Sequence, residues 1–469
     1  MSLVAGVDSS TQSTKVELRD LDTGAIVASS SAPHPPVTPP CSEQDPDEWW
    51  SAFTSAWERA LAAVPGAAGD VVALSVAGQQ HGMVALDAAG RPVHPAKLWN
   101  DTESAPDAGW LIGQLGGPDA WAEAVGSVPV AAFTATKLSW LHRTHPDRWD
   151  RLARVVLPHD ELTRRLTGRW TTDRGDASGT GYWSPATGEY RWDILAVIDG
   201  HRDWSDVVPE VLDPLAVAGH WNGVAVAVGT GDNMAAALGL GLRPGDAAIS
   251  VGTSGTAFTV SDRPTADPLG EVAGFADATG RFLPLVCTSN AAKVLDAFAR
   301  ILGVDHDEFD RLALAATGDR PLVLPYLDGE RTPNRPDACG VLTGVRSDVT
   351  REQVARAAVD GVACGLIDAL DSLRRHAPVE GSVVLTGGAA RSQALQAVLA
   401  GLLDRPLVVA AVDQAVATGA AVQAAAVAAG VDHAAIQQRW GLGGGIPAAA
   451  GVEPGDLRDR YARLRDSAP

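Results

Sequence analysis

The sequence predicts an α/β protein of two large domains, and three observations carry that prediction. Strand-like and helix-like segments alternate in both halves, the pattern of sheets with helices on their faces. A strand–turn–strand unit occurs once near residue 10 and again near residue 253. The length of 469 residues, 46% of them hydrophobic, suits two domains that each bury a full core.

In the first half, Leu3 to Val7 is an apolar run. From Thr14 to Arg19, Val16 and Leu18 alternate with Lys15, Glu17 and Arg19, the period of a half-buried strand. That alternation makes Lys15 part of a solvated strand face. Asp22-Thr23-Gly24 turns the chain into a third strand, Ala25 to Ala28. Asp45-Pro46 supplies an N-cap and a first-turn proline for a helix with Trp49, Trp50, Phe53 and Trp57 on one stripe, which reads as a core face. A strand over 71–76 ends in the polar turn Gly78-Gln79-Gln80-His81-Gly82. Helical and irregular segments run to about residue 220. A strand over 224–228 then breaks into Gly229-Thr230-Gly231-Asp232-Asn233 and a helix from Met234.

Arg243-Pro244-Gly245 reads as a linker and places the domains at 1–243 and 244–469. Beyond it the opening pattern returns: a strand over 247–251, the tight turn Gly252-Thr253-Ser254-Gly255, and a strand over 256–260. Strand-like pieces follow at 271–275 and 282–286. Thr350 and Gln353 form a capping box for a helix to about Arg375. A strand over 382–386 breaks at Gly387-Gly388, a helix starts at Ser392, and a strand over 407–410 precedes an alanine-rich helix.

With 37 Lys+Arg against 57 Asp+Glu, the net charge of −20 leaves no electrostatic footprint for nucleic acid or anionic lipid. Cys41, Cys287, Cys339 and Cys364 are scattered without a C-x-x-C pair, as in a reduced intracellular chain without a zinc site. The N-terminal residues lack a basic stretch followed by a long apolar run, so the expectation is a cytoplasmic protein. The longest apolar stretch, 415–429, is interrupted by Thr418, Gly419 and Gln423 and is expected to be a packed helix, not a membrane span.

The two turns are where chemistry concentrates. Small hydroxyl residues and glycines at a strand–strand tip expose backbone N–H groups in concave nests that hold phosphate oxygens. Asp8-Ser9-Ser10-Thr11-Gln12-Ser13-Thr14-Lys15 is one such tip and Gly252-Thr253-Ser254-Gly255 the other. Either alone also reads as a polar hairpin tip, but a matching pair points to a shared phosphate clamp. Neither G-x-x-x-x-G-K-[ST] nor a strand followed by G-x-G-x-x-G occurs. Asp8 and Asp232 each end an apolar strand, where a carboxylate is held at the edge of a sheet. Such a group suits Mg²⁺ or accepts a proton from an attacking hydroxyl. A helix N-cap is the other reading of Asp232.

These residues carry a resemblance. Ser42-Glu43-Gln44-Asp45-Pro46 with Trp49-Trp50, Gly78-Gln79-Gln80-His81-Gly82, Leu98-Trp99-Asn100-Asp101 and Phe133-Thr134-Ala135-Thr136-Lys137-Leu138 fall in order. So do Gly231-Asp232-Asn233, Ser250-Val251-Gly252-Thr253-Ser254-Gly255, Leu324-Pro325-Tyr326-Leu327-Asp328-Gly329-Glu330-Arg331-Thr332-Pro333 and Thr386-Gly387-Gly388. The chain resembles the FGGY carbohydrate kinase family over nearly its whole length, most of all the members acting on xylulose.

The resemblance implies two actin/hexokinase-like (ribonuclease H-like) ATPase domains with an active-site cleft between them that closes about residues 243–245. It implies ATP- and Mg²⁺-dependent phosphorylation of D-xylulose to D-xylulose 5-phosphate. Another sugar or polyol kinase of the family is the alternative, acting on ribulose, gluconate, glycerol or a deoxy sugar. A nucleotide-binding regulator of the same fold is the rival from another class. Position by position, Asp232 matches the general base and Asp8 the aspartate near metal and phosphates. Gln80, His81 and Asn233 match the sugar-contacting residues. Ser10, Thr11, Gly252, Thr253 and Ser254 fall in the phosphate hairpins, and Gly387 and Gly388 in the turn against adenosine. The partners implied are sugar and ATP, and a homodimer is left open. Four positions depart from the family pattern: Ser10 and Ser13 replace glycine in the first hairpin, Thr230 replaces glycine before the base, Ala389 replaces a third glycine, and Gln80 stands where methionine is common.

Overall fold

The computed structural model describes residues 2–467, Ala68 by its backbone alone. Contacts divide the chain into two compact units. The first comprises Met1–Gly241, Asp262–Leu283 and Gln414–Gly443, the second Leu242–Ser261, Pro284–Asp413 and Gly444–Pro469. Residues 262–283 and 414–443 therefore belong with the first unit although they lie in the second half of the chain.

The first unit is built on a mixed sheet. Its strands are β1 (Leu3–Ser9), β2 (Ser13–Asp20) and β3 (Ile26–Pro33), then, after helix α1 (Pro46–Ala62), β4 (Val71–Gly78), β5 (Val217–Trp221), β6 (Val224–Ala227) and β7 (Thr230–Gly231). Helix α2 (Asp232–Gly239) follows directly. The order is β5-β6-β4-β1-β2-β3, with β7 also on β4. Strands β1, β6 and β7 run parallel to β4, and the remaining neighbours are antiparallel. Strand β3 runs past the expected Ala28 to Pro33, because the polar Ser29-Ser30-Ser31 run is held by pairing to β2 and not by an apolar pattern.

Alternation along β1 divides its side chains between two cores. Leu3, Ala5 and Val7 pack with Trp49, Phe53 and Trp57 of α1, the stripe expected as a core face. Asp45 caps that helix by accepting from Asp47 N at 2.9 Å. Val4 faces Val422, Ala424, Ala425 and Ala426 of the alanine-rich helix Ala415–Ala429, which is thus a packed helix. Small residues let that helix and α2 meet backbone to backbone. A Cβ at Gly239 would lie 1.9 Å from Ala415 O, and one at Gly419 1.8 Å from Ala235 O. Among the described residues no single helix is long and apolar enough to cross a membrane.

The second unit carries β8 (Ala247–Val251), β9 (Gly255–Thr259), β10 (Phe282–Thr288), helix α3 (Ala292–Leu302), helix α4 (Arg351–Arg374), β11 (Val383–Thr386), β12 (Leu407–Ala410) and β13 (Gly445–Pro447). These strands follow the order β10-β9-β8-β11-β12-β13 within a seven-stranded sheet whose first strand is Ala273–Ala276. Hairpin β8–β9 stands to parallel neighbour β11 as β1–β2 stands to β4, so each half repeats one topology. The Thr350/Gln353 capping box at the start of α4 is formed in both directions.

The helix–helix contact gives a stability prediction. Gly419→Ala forces a methyl into a carbonyl oxygen and lowers stability by about 3 kcal/mol or more. Gly109→Ala, in the helix Ala105–Gln114 with nothing within 4 Å of its added Cβ, is neutral or stabilises by about 1 kcal/mol. Thermal unfolding of both variants checks the contrast.

Candidate active site

Three parallel strand ends finish level. Asp8 and Thr230 both lie opposite Ala77 of β4, and Ser9 and Gly231 both lie opposite Gly78. The carboxyl ends of β1, β4 and β7 therefore deliver Asp8, the turn Gln79-Gln80-His81, and Asp232 to one edge of the sheet, where open α/β sheets bind ligands. Asp232 does not cap α2. Gly231 holds the N-cap position and Asp232 is the first helical residue, its Oδ1 accepting from Asn233 N at 2.8 Å and Asn233 Nδ2 at 3.0 Å. Burial pushes Asp232 up to about 7, and the negative charge of Asp8 adds to this against the bonds from Asn233. Burial likewise pushes Asp8 up to about 6, held back by Lys15. Asp8 Oδ1 is buried and accepts no hydrogen bond, so a hard cation with oxygen ligands fits it.

Gln80 and Asn233 come together beside Asp232, with His81 next along the turn. Asn233 Nδ2 donates to Gln80 Oε1 at 2.7 Å, while Gln80 Nε2 is a buried donor with no hydrogen-bond partner. Gly231 is needed for this approach, since a Cβ there would lie 2.7 Å from Gln80 Cγ. His81 takes a left-handed φ of 66°, which costs energy in a non-glycine residue and collects at functional sites. Its ring lies between Phe133 and Phe275, with centroids 5.3 and 5.2 Å away.

The first hairpin turns without glycine. Ser10 donates from its N–H and its hydroxyl to Ser13 O at 3.0 and 3.2 Å. The Thr11 hydroxyl donates to Gln79 Oε1 and accepts from Trp99 Nε1, both at 3.0 Å. The Ser10 hydroxyl thus closes the turn on itself, and the Thr11 hydroxyl ties the tip to Gln79, the residue after β4. Lys15 Nζ donates to Gln414 Oε1. In the second unit Gly252, Thr253 and Ser254 are all exposed, and the turn is tied to the start of α3 by Ala292 N donating to Gly252 O at 2.9 Å. Strand β11 lies parallel to β8, with Thr386 opposite Ser250. Gly387, at φ 91°, passes so close to β8 that its Cβ would meet Val251 O at 2.7 Å, whereas Gly388 faces open space.

Family models for the N-terminal and C-terminal domains of the FGGY family of carbohydrate kinases match residues 3–239 and 247–429. The chain belongs to that family. Among FGGY relatives it is 47% identical to the xylulose kinase of Streptomyces coelicolor, covering 100% of this chain and 97% of that one. It is 34% identical to the xylulose kinase of Escherichia coli over 86% of this chain and 85% of that one. The crystal structure of the xylulose kinase from Bifidobacterium adolescentis matches with a TM-score of 0.87 at 40% identity, covering 99% of both chains. A Plasmodium falciparum glycerol kinase at 18% identity shares the fold, with a TM-score of 0.89 over 99% of this chain and 97% of that one. The two-domain actin/hexokinase-like α/β fold and carbohydrate kinase chemistry are those of the FGGY family.

Other FGGY-like motifs divide between rim and scaffold. Trp99 is exposed beside Thr11, whereas Asp101 is buried and accepts from Ser42 N and Lys97 Nζ, each at 2.9 Å. Lys97 is the cation of a cluster with Glu43, Asp101 and Glu103. Buried Glu330 accepts from Asn290 Nδ2 at 2.9 Å and from Arg331 N at 2.7 Å and so shapes its own loop. Sequence reasoning passed over His159, Asp173 and Asp176. A strand-like Val155-Val156-Leu157 followed by Pro158-His159-Asp160 was the available signal.

The raised Asp232 makes a stability prediction with a defined sign. Its folded pKa lies above the unfolded value, so wild type loses stability as pH rises from about 4 to about 7 and no further above that. Asp232→Asn removes this cost. Its melting temperature exceeds that of wild type at pH 8, and the difference shrinks toward pH 4.

Proposed function

We propose that this protein transfers the γ-phosphoryl group of ATP to the 5-hydroxyl of D-xylulose, giving D-xylulose 5-phosphate and ADP. The observation that carries the reading is Asp232. It is a carboxylate pushed up to about 7, on the first turn of α2, beside the polar pair Gln80 and Asn233. A group poised near neutrality accepts a hydroxyl proton efficiently. The xylulose kinases that cover nearly all of the chain support the acceptor.

In this reading Asp232 takes the hydroxyl proton as the sugar oxygen bonds to phosphorus and the bond from phosphorus to ADP breaks. Gln80 and Asn233 orient the sugar, Gln80 through the Nε2 donor that no protein group satisfies, and His81 lines the same pocket. Thr253 and Ser254, in a turn closed by Gly252 N donating to Ser254 O at 3.0 Å, offer backbone N–H groups to phosphate, and Gly388, which faces open space, leaves room for the nucleoside beside Gly387. Asp8 would hold Mg²⁺, which neutralises phosphate charge when bound. The requirement for ATP supports a cytoplasmic reaction. Gln80 also favours a second reading, because its extra donor suits an acceptor with a differently placed oxygen, such as ribulose or gluconate.

ADP release with Mg-ATP across D-xylulose, L-xylulose, D-ribulose, L-ribulose, gluconate and glycerol tests the proposal. D-xylulose is expected to give the highest kcat/KM, and Asp232→Asn to lower kcat about 10²–10⁴-fold. Preference for another acceptor moves the substrate assignment to the second reading, and wild-type turnover in Asp232→Asn removes the base.

A further inference from the structure

His159, the second residue of the helix Pro158–Thr167, is fully buried and tightly enclosed. A Cβ at Gly78 would lie 2.9 Å from its backbone N, and one at Gly229 2.8 Å from its Nδ1. Its Nε2 is 3.1 Å from Asp160 Oδ1, 3.2 Å from Asp173 Oδ1 and 3.5 Å from Asp176 Oδ2. Burial pushes Asp176 well above the usual carboxylate range and Asp160 up to about 6, and the acidic cluster is stabilised by a cation among its members. Burial alone would pull the imidazole down, but these carboxylates outweigh it and hold His159 protonated, up to about 9.

Two of the carboxylates reach the proposed site by separate routes. Asp173 Oδ2 accepts from the Thr230 hydroxyl at 2.7 Å, two residues before Asp232. The same oxygen accepts from Gly175 N at 2.7 Å, and Asp173 Oδ1 accepts from Asp176 N at 3.0 Å, which fixes the short turn that carries Asp176. Asp176 Oδ1 then accepts from His81 N at 3.3 Å, at the residue held in left-handed backbone. Thr230, which departs from the family's glycine, supplies the hydroxyl that joins the base strand to this cluster.

We infer that His159 is a positioning residue: by gathering Asp173 and Asp176 it fixes, through Thr230 and the backbone of His81, the spacing between the base Asp232 and the sugar-binding turn. The inference rests on the phosphoryl-transfer reading above. It explains why a charged cluster is buried one layer beneath a pocket whose own base needs an exact place, since a 1 Å error costs about 10²-fold in rate.

The test is a double-mutant cycle on kcat with D-xylulose and Mg-ATP, using His159→Gln, Thr230→Val and the pair, with Thr230→Ser as the conservative rescue. Thr230→Val keeps the volume and removes the hydroxyl. It is expected to lower kcat about tenfold with KM for ATP unchanged, and Thr230→Ser to restore kcat to within about twofold. His159→Gln lowers kcat at least as far, and the double variant falls no further than His159→Gln alone, because one route carries both effects. Wild-type kcat in Thr230→Val overturns the inference, as do independent, multiplying losses. Should His159→Gln not fold, Thr230→Val and Thr230→Ser decide by themselves. Crystal structures of wild type and Thr230→Val test the same point without turnover. A displaced or disordered Asp232 carboxylate supports the inference, and an unmoved one overturns it. If wild type phosphorylates no acceptor, the functional reading fails and the crystallographic comparison still decides the role of His159.

Discussion

Parallel strands send all their carboxyl ends to the same edge of a sheet, and in the first unit that edge receives two carboxylates, Asp8 at the end of β1 and Asp232 just past the end of β7, on either side of β4. Each is pushed upward by burial, and the charge of Asp8 raises Asp232 further. Burial and a like charge both disfavour the ionised form, so the Asp232 carboxyl is raised toward neutrality at a cost in stability. The raised carboxyls, the unpartnered Asp8 Oδ1 and the hydrogen bonds that Asn233 makes to Asp232 and Gln80 all follow from that placement.

Much of the fold serves to hold this edge still. The tryptophan stripe of α1 fills one face of the sheet, and the alanine-rich helix covers the other at backbone distance through Gly239 and Gly419. Beneath the strand ends, the imidazolium of His159 draws Asp160, Asp173 and Asp176 together. Buried ion clusters contribute little net stability, so their usefulness lies in fixing one geometry among several. The second unit repeats the hairpin-and-parallel-strand topology and ends its strands β8 and β11 in glycine turns instead of carboxylates. One topology thus ends in acids in one half and in glycine turns in the other.

The elements legible in the sequence were those whose pattern is local. Strands over 247–251 and 407–410, the alanine-rich helix 415–429 and the capped helix after Thr350 stand where apolar runs and capping residues put them. That Asp8, Gln80, His81, Asp232 and Asn233 gather at one sheet edge was legible because each follows an apolar strand or belongs to a family motif. The stretch from 83 to 220 was not legible, since its helices and two-residue strands are fixed by tertiary pairing, as in the buried Lys97 cluster. His159 was missed for the same reason: Asp173 and Asp176 lie far along the chain, and only folding brings them to its ring. Two local readings missed: the third strand runs past Ala28 to Pro33, and Gly231, not Asp232, takes the helix cap.

The claim that most of this depends on is that Asp232 works as a base because its surroundings raise it to about 7. The most direct measurement is kcat/KM for D-xylulose as a function of pH between 5 and 9, with Mg-ATP. The account predicts an acid limb in which kcat/KM falls about tenfold per pH unit below an apparent pKa near 7, then a plateau above it. A profile that stays flat down to pH 5 would contradict it, because an ordinary carboxylate, already ionised there, would then be doing the chemistry.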